Sequence, residues 1–156
     1  MAIEIEHKFL LANDDWRKHI DKSVSYCQGY LSSQPTSSIR VRISDNQAWL
    51  NIKSATIGSQ RHEYEYPIPI TDAQEILRNL CRKPLIEKVR HFVTHDGNLW
   101  EIDEFTGDNQ GLIVAEIELS ENGQSFAKPN WLGLEVTDDL RYYNNNLAIH
   151  PYSEWR

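Results

Sequence analysis

Pairs of like-signed charges, two residues apart, recur in six short segments of this chain. They are Glu4 with Glu6, Arg40 with Arg42, Glu63 with Glu65, Lys88 with Arg90, Glu101 with Asp103, and Glu116 with Glu118. On a β-strand such residues point to the same side, roughly 6.6 Å apart along the strand. Like charges that close repel, and a surface that only confers solubility would mix the two signs. Sorting by sign therefore favours a ligand that carries both charges, such as a phosphate chain with its metal ions.

The two kinds of pair suit different parts of such a ligand. Mg²⁺ prefers hard oxygen ligands and takes one or two carboxylates together with phosphate oxygens and waters. Arginine binds phosphate oxygens in bidentate fashion, and lysine binds them as a point charge. Neither a Gly-x-x-x-x-Gly-Lys-Ser/Thr loop nor a Gly-x-Gly-x-x-Gly turn occurs in the sequence. A phosphate site in this chain must therefore be built from side chains.

The composition limits the class of protein. A length of 156 residues with 40% hydrophobic and 25% charged residues is typical of one globular domain, so we predict a single domain over 1–156. The formal net charge of -7 argues against a nucleic-acid binder, although clustered cations can hold a polyanion inside an acidic protein. The chain has no apolar stretch long enough for a membrane span, and its first residues are charged too early for a signal peptide. We predict a cytoplasmic protein with two free thiols, Cys27 and Cys81.

Eight segments alternate with period two and predict β-strands. They cover about 2–10, 25–32, 38–44, 47–54, 60–68, 85–94, 98–105 and 112–120. Short connections, such as the one at Asp96-Gly97, favour antiparallel neighbours. One face of each strand is mostly apolar, which indicates a barrel or a strongly curled sheet. Periodicity leaves open whether the charged face lines a wide barrel or covers a small one, where it would be an ordinary solvated surface.

Helices are fewer. The sequence predicts short helices over about 14–20 and 71–80, the second beginning with a capping box at Thr71 and ending before Pro84. A third is predicted from about Thr137 or Asp138 to Leu147. From this helix, Asp139 and Arg141 could close one end of a barrel. The fold class is therefore α+β and mainly β.

Several of these segments resemble one known family. Glu4-Ile5-Glu6-His7-Lys8 resembles the Glu-x-Glu-x-Lys signature of the CYTH superfamily, also called triphosphate tunnel metalloenzymes. Other segments follow in the family's order, namely Gln28-Gly29-Tyr30-Leu31, Arg40-Val41-Arg42, Lys53, Arg61 with Glu63 and Glu65, Glu87-Lys88-Val89-Arg90, Glu101-Ile102-Asp103 and Glu116-Ile117-Glu118. The segment from Leu134 to Asn144 resembles in particular the short bacterial members that act as inorganic triphosphatases.

The resemblance implies a fold and a set of site residues. The fold is an eight-stranded antiparallel closed β-barrel, the triphosphate tunnel, with its charged face inward and a few flanking helices. Phosphate oxygens would be bound by Lys8, Arg40, Arg42, Lys53, Lys88 and Arg90, with Arg61 as a further candidate. One or two Mg²⁺ or Mn²⁺ ions would be held by Glu4, Glu6, Glu63, Glu116 and Glu118. Lys88 and Tyr30, expected to face each other across the lumen, would be the catalytic pair that helps to activate water.

Some roles stay open at this point. Arg61 is equally suited to bind phosphate or to neutralise the neighbouring glutamates. Tyr30 could instead pack near the tunnel mouth. Glu65, Glu101 and Asp103 are candidates either for metal binding or for pairing with the cations of the lumen.

The leading hypothesis is metal-dependent hydrolysis of inorganic tripolyphosphate to pyrophosphate and phosphate inside the tunnel. A class IV-type adenylate cyclase or a thiamine or nucleoside triphosphatase would use the same fold. A noncatalytic polyphosphate-binding module is the alternative of another class. The expected partner is tripolyphosphate or another triphosphate, with neither nucleic acid nor membrane. The sequence allows a homodimer but does not fix the oligomeric state, the preferred metal or the chain length of the substrate.

Overall fold

The structure, a computed structural model, describes residues 3–34, 36–55 and 59–155. Its strands are β1 (Ile3–Leu11), β2 (Ile20–Ser33), β3 (Ser37–Ser44), β4 (Gln47–Ser54), β5 (Gln60–Ile68), β6 (Ile86–His95), β7 (Asn98–Phe105), β8 (Ile113–Leu119) and β9 (Leu132–Glu135). Two α-helices are α1 (Ile70–Asn79) and α2 (Asn144–Leu147). Short 3₁₀ turns cover Asp15–His19, Gly107–Asn109, Leu140–Tyr142 and Tyr152–Glu154.

The strands form a closed antiparallel barrel. They are neighbours in the order β5-β4-β3-β2-β6-β7-β8-β1, and β1 pairs back with β5 by placing Ile3 opposite His62 and Ile5 opposite Gln60. Farther along β1, Phe9 is paired with β8 on one side and with β9 on the other. The predicted eight-stranded closed barrel is therefore confirmed, and β9 lengthens its wall beside β1.

Apolar side chains on the outer face are covered by the segments that connect the strands. Helix α1 packs Ala73 and Leu77 onto Val41 of β3 and Ala48 of β4. On the opposite side, a second cluster buries the outer faces of β1, β6, β7 and β8 beneath the indole rings of Trp16 and Trp131. The apolar faces of β1, β3, β4, β6, β7 and β8 are thus buried in this outer packing, which leaves the other face of each strand for the interior.

Apolar packing also closes part of the barrel's upper end, which we define as the end where β2 joins β3. There the inward positions are Ile86, Phe105 and Val114, and they pack against Leu147 and Ala148 at the C-terminal end of α2. Leu147 is fully buried. The charged part of the interior therefore lies below an apolar plug.

The structure differs from the predictions in two strands. Strand β2 begins at Ile20, five residues early, because it pairs with β6 from there although its polar residues break the alternation. Strand β9 was not predicted because it has four residues and pairs with only one strand, β1. The first predicted strand started at residue 2, which lies outside the described residues.

The single helix predicted over 137–147 is wrong. A 3₁₀ turn over Leu140–Tyr142 is followed by extended backbone at Tyr143 (φ -78, ψ 139), and α2 begins only at Asn144. The bend at Tyr143 turns the chain toward the barrel interior. The first predicted helix is a 3₁₀ turn, and the second is confirmed as α1. The predicted capping box at Thr71 is wrong, because α1 begins at Ile70 after Pro69 and has no side-chain cap hydrogen bond.

Cys27 and Cys81 are free thiols, as predicted. Across the described ranges, no helix has both the length and the apolar character needed to cross a membrane.

Candidate active site

A cavity of about 180 Å³ lies inside the barrel and is lined almost entirely by polar side chains. All the predicted site residues line it, namely Glu4, Glu6, Lys8, Tyr30, Arg40, Arg42, Lys53, Arg61, Glu63, Lys88, Arg90, Glu116 and Glu118. The question that periodicity left open is thereby answered, because the charged face of the strands points inward.

The charges are sorted around the barrel as well as along each strand. Four consecutive strands, β5, β1, β8 and β7, carry the acidic wall, which we define as Glu4, Glu6, Glu63, Glu65, Glu101, Asp103, Glu116 and Glu118. The basic wall on β6, β3 and β4 consists of Arg40, Arg42, Lys53, Lys88 and Arg90. Lys8 and Arg61 are the cations that stand within the acidic wall. A ligand in this cavity would meet opposite charges on its two sides.

Lys8 and Arg61 neutralise part of the acidic wall. Lys8 Nζ donates to Glu6 Oε1 at 2.9 Å and also to Glu116, and Arg61 Nε donates to Glu4 Oε1 at 2.8 Å. Burial is the largest influence on Glu6 and favours the neutral acid, but the combined charges of Lys8, Arg61 and Lys53 outweigh it and lower the pKa of Glu6 to about 2. Arg61 therefore acts as a counter-ion in this arrangement while it also faces the cavity.

A second ionic cluster joins the two walls at β6 and β7. Asp103 accepts from Lys88 Nζ at 2.7 Å and from Arg90 Nε at 2.7 Å. Arg90 also donates to Glu101 at 2.8 Å and to Glu116 at 3.2 Å. Asp103 is 1% exposed and fully engaged by these cations. This geometry favours the counter-ion interpretation of Asp103 over metal binding.

The amine of Lys88 titrates near neutral pH. Burial lowers the pKa of Lys88 to about 7, against the attraction of Asp103. A lysine amine in this range can accept a proton at physiological pH.

Arg40 is a buried cation that forms no ion pair within the described part of the chain. Its side chain lines the cavity, the residue is 5% exposed, and its Nε has no hydrogen-bond partner there. Nearby, burial and then the charge of Arg40 lower the pKa of Lys53 to about 8 although Glu63 lies 3.1 Å away. Because unpaired buried donors are unfavourable, an anion in the cavity would stabilise the basic wall.

Glu118 is a carboxylate that lacks a neutralising partner. It stands directly opposite Glu6 in the pairing of β1 with β8, and it forms no ion pair with any described residue. Burial and then the carboxylates of Glu4 and Glu6 raise the pKa of Glu118 to about 7. These hard oxygen donors fit a divalent cation. No three carboxylates in the described ranges are already gathered into a cage for a metal, since Lys8 and Arg61 hold their neighbours.

The most exposed cavity residues lie at the lower end of the barrel. Glu65 and Glu118 are exposed there, and Glu101 and Arg42 are partly exposed. Glu65 accepts from Asn51 at 2.7 Å and lies 3.5 Å from Arg42. The lower mouth is thus mainly acidic, whereas the deeper residues Lys8, Lys53 and Lys88 are buried.

Comparison with known proteins gives this architecture a family. Residues 2–152 match the family model described as the CYTH domain. The chain belongs to the CYTH-domain family. The match confirms the resemblance carried by the Glu-x-Glu-x-Lys signature at Glu4 to Lys8. Triphosphatases of the CYTH family are metal-dependent.

Two similar CYTH relatives are named inorganic triphosphatases. The one from Acetivibrio thermocellus is 46% identical over 156 residues, covering 100% of this chain and 99% of the relative. The one from Nitrosomonas europaea is 40% identical over 152 residues, covering 94% of this chain and 97% of the relative. A crystal structure of an inorganic triphosphatase matches with a TM-score of 0.67 and 33% identity, covering 96% of each chain.

The resemblance implied that Tyr30 faces Lys88 across the lumen. In the structure Tyr30 does not stand across the CYTH tunnel from Lys88. Strands β2 and β6 are neighbours, and the residue opposite Lys88 in their register is Tyr26. Tyr30 lies nearer the upper end, where it borders the cavity and packs with Ile86 and Phe105. No hydrogen bond joins Tyr30 to Lys88 in the described structure. A role for Tyr30 in water activation stays a prediction.

Three lining residues of the CYTH tunnel come from the C-terminal segment and were not predicted as site residues. They are Tyr143, Asn144 and Asn145. The Tyr143 ring lies 4.8 Å from Lys8 Nζ and 5.8 Å from the guanidinium of Arg61. The positions of these three C-terminal residues in the cavity depend on the bend at Tyr143, for which the sequence carries no periodic signal.

Asp139 and Arg141, proposed from the sequence to close the tunnel, do not line it. They pair with each other at 2.7 Å, and Arg141 is exposed.

Proposed function

We propose that this protein is an inorganic triphosphatase that hydrolyses tripolyphosphate to pyrophosphate and phosphate inside its tunnel. The observation that carries the proposal is the pair of oppositely charged walls that face each other across one cavity inside the barrel, with Arg40 buried and unpaired within the described chain. The relatives named inorganic triphosphatases support the same activity.

The cations of the tunnel bind the phosphate chain. Arg40, Arg42, Lys53 and Arg90 contact its oxygens from the basic wall, and Lys8 and Arg61 exchange their carboxylate partners for phosphate oxygens. Phosphoryl transfer asks little covalent work of a protein, so positioning and charge stabilisation account for most of the acceleration.

The carboxylates Glu4, Glu6, Glu63, Glu116 and Glu118 hold Mg²⁺ or Mn²⁺ in this proposal. The unpaired Glu118 and its raised pKa support a cation site on this wall. When bound, such an ion neutralises charge on the phosphate oxygens. Family membership supports the need for a metal but not the choice between the two ions.

Lys88 acts as the proton acceptor. The oxygen of a water molecule forms a bond to a terminal phosphorus, and the bridging P–O bond breaks with its electron pair going to pyrophosphate. The proton of the water passes to the Lys88 amine, whose pKa of about 7 supports this exchange. Tyr30, which borders the cavity, helps Lys88 to activate the water in this proposal.

A second cavity favours an alternative substrate class, an organic triphosphate. It has a volume of about 430 Å³ and adjoins the tunnel through Ser38, Arg61, Tyr143 and Asn145. Serine hydroxyls and the apolar side chains of Leu140 and Ile149 line it, which suits an uncharged group attached to a triphosphate.

The deciding experiment measures phosphate release from tripolyphosphate, ATP and thiamine triphosphate side by side, in Mg²⁺ and in Mn²⁺. We expect tripolyphosphate to be cleaved fastest and chelation by EDTA to abolish release. Faster cleavage of an organic triphosphate would favour the alternative. Binding of tripolyphosphate without cleavage would indicate a noncatalytic module, and a rate unchanged by EDTA would contradict the metal role.

The cytoplasmic location, the homodimer and the lack of nucleic-acid and membrane binding stay predictions from the sequence.

A further inference from the structure

The amine of Lys88 is held by oxygen atoms from two distant parts of the chain. Its Nζ donates to Asp103 Oδ2 at 2.7 Å and to Asn144 Oδ1 at 3.1 Å. The Lys88 side chain is 1% exposed, so these contacts are shielded from solvent. A neutral amine has two N–H groups and one lone pair. When both N–H groups are directed to these acceptors, the lone pair is left free, and Lys88 lines the cavity in which a water could meet it.

Asn144 reaches Lys88 because the packing of α2 fixes the C-terminal segment inside the upper end of the barrel. Leu147, one helical turn later, is fully buried against Ile86 and Phe105. On the preceding side, the Tyr143 hydroxyl donates to the Thr137 carbonyl at 2.9 Å. Asn144 is therefore anchored on both sides.

The orientation of the Asn144 amide is determined by its neighbours. Its Oδ1 also accepts from Nε2 of Gln28 at 3.1 Å, and Gln28 is fully buried. Turning the amide over would place its NH₂ group against two donors. The contact with Asp103 is less exclusive, because that carboxylate is shared with Arg90.

We propose that Asn144 is a positioning residue for hydrolysis, which directs the Lys88 amine toward the attacking water. This inference rests on the proposed triphosphatase function. It gives the C-terminal segment a part in a reaction whose proton acceptor lies on β6. Asn144 itself exchanges no proton and forms no bond to the substrate.

The test compares steady-state kinetics of tripolyphosphate cleavage in the full-length wild type, Asn144→Ala and Asn144→Leu. Asn144→Leu keeps the branched shape and the number of heavy atoms without the acceptor, so it remains informative if Asn144→Ala does not fold. We expect kcat to fall about tenfold to a hundredfold in both, with KM within twofold, because a misdirected amine slows chemistry without weakening binding. Asn13→Ala, at an exposed asparagine whose amide donates to the Asn130 carbonyl, is the control and should match the wild type.

The outcomes separate the two proposals. An active wild type with kcat unchanged in a folded Asn144 variant would overturn the positioning role alone. A rise in KM with unchanged kcat would also overturn it, since Asn144 would then bind substrate. A wild type that releases no phosphate from tripolyphosphate would reject the proposed function and this inference with it. Circular dichroism of each variant verifies the fold.

Discussion

In the proposed function Glu118 helps to hold the metal ion, but in the ligand-free protein its charge destabilises the fold. Its pKa of about 7 in the folded protein exceeds the usual value of 4.5, so the folded state binds its proton more tightly than the unfolded chain does. The stability that Glu118 contributes as an acid is therefore lost as the pH rises from about 4.5 through 7.

We predict that Glu118→Gln stabilises the ligand-free protein at pH 8 by about 1 kcal/mol, a value discounted for the exposure of the side chain. At pH 4 the substitution should have a much smaller effect, because the glutamate is then mostly protonated in both states. Urea unfolding at the two pH values measures the difference. Glu121→Gln, at an exposed carboxylate after β8, is the control. Equal stability of Glu118→Gln and wild type at pH 8 would contradict the uncompensated charge.

Lys88 and Lys53 allow binding to be separated from chemistry. We predict that Lys88→Ala lowers kcat about a hundredfold and changes KM only a few-fold, since the proton acceptor is lost. Lys53→Ala should mainly raise KM, because Lys53 only binds phosphate oxygens in the proposal. Steady-state kinetics with tripolyphosphate measures both. Full turnover with weakened affinity in Lys88→Ala would assign Lys88 to binding alone.

At the scale of elements, α2 is a four-residue helix that buries one large side chain completely, Leu147. We predict that Leu147→Ala lowers the free energy of unfolding by about 2–5 kcal/mol, because it leaves a cavity among Ile86, Phe105 and Val114. Leu147→Met, which nearly conserves volume, should lower it by less than about 1.5 kcal/mol. Chemical denaturation measures both. A small effect of Leu147→Ala would mean that the plug is not needed for the fold.

The elements also show what the sequence can reveal. The barrel strands β1 and β3 to β8 were predicted with nearly correct bounds, since each has its own alternation of charged and apolar residues. Strand β9 and the bend at Tyr143 depend on contacts made after folding. At β9, a side chain on Gly133 would come within 2.9 Å of the Leu10 carbonyl oxygen, a constraint that only the assembled structure reveals. The lining residues Tyr143, Asn144 and Asn145, which the bend and α2 bring to the site, were missed for this reason.

At the scale of the whole molecule, the charge of the tunnel is nearly balanced. The acidic wall has one carboxylate more than the number of cations, which are the five of the basic wall with Lys8 and Arg61. Most of the net charge of -7 therefore lies outside the tunnel. The total charge of the sequence could not indicate an anion site, whereas the order of charges along it did.

Ligand binding should stabilise the whole barrel. We predict that tripolyphosphate with Mg²⁺ raises the melting temperature by several degrees, since a ligand at a hundred times its Kd adds about 2.7 kcal/mol. In Arg40→Gln the ligand-free protein should melt no lower than the wild type, because an unpaired buried cation is removed. The ligand-induced shift should be strongly reduced in this variant. Differential scanning calorimetry measures both temperatures, and a full shift in Arg40→Gln would contradict its role in binding.

The acidic lower mouth bears on how the substrate arrives. A bare polyanion approaching Glu65 and Glu118 would be repelled before it reached the lysines and arginines behind them. We therefore expect tripolyphosphate to enter with divalent cations already bound. The acidic mouth would then admit this neutralised complex more readily than metal-free tripolyphosphate.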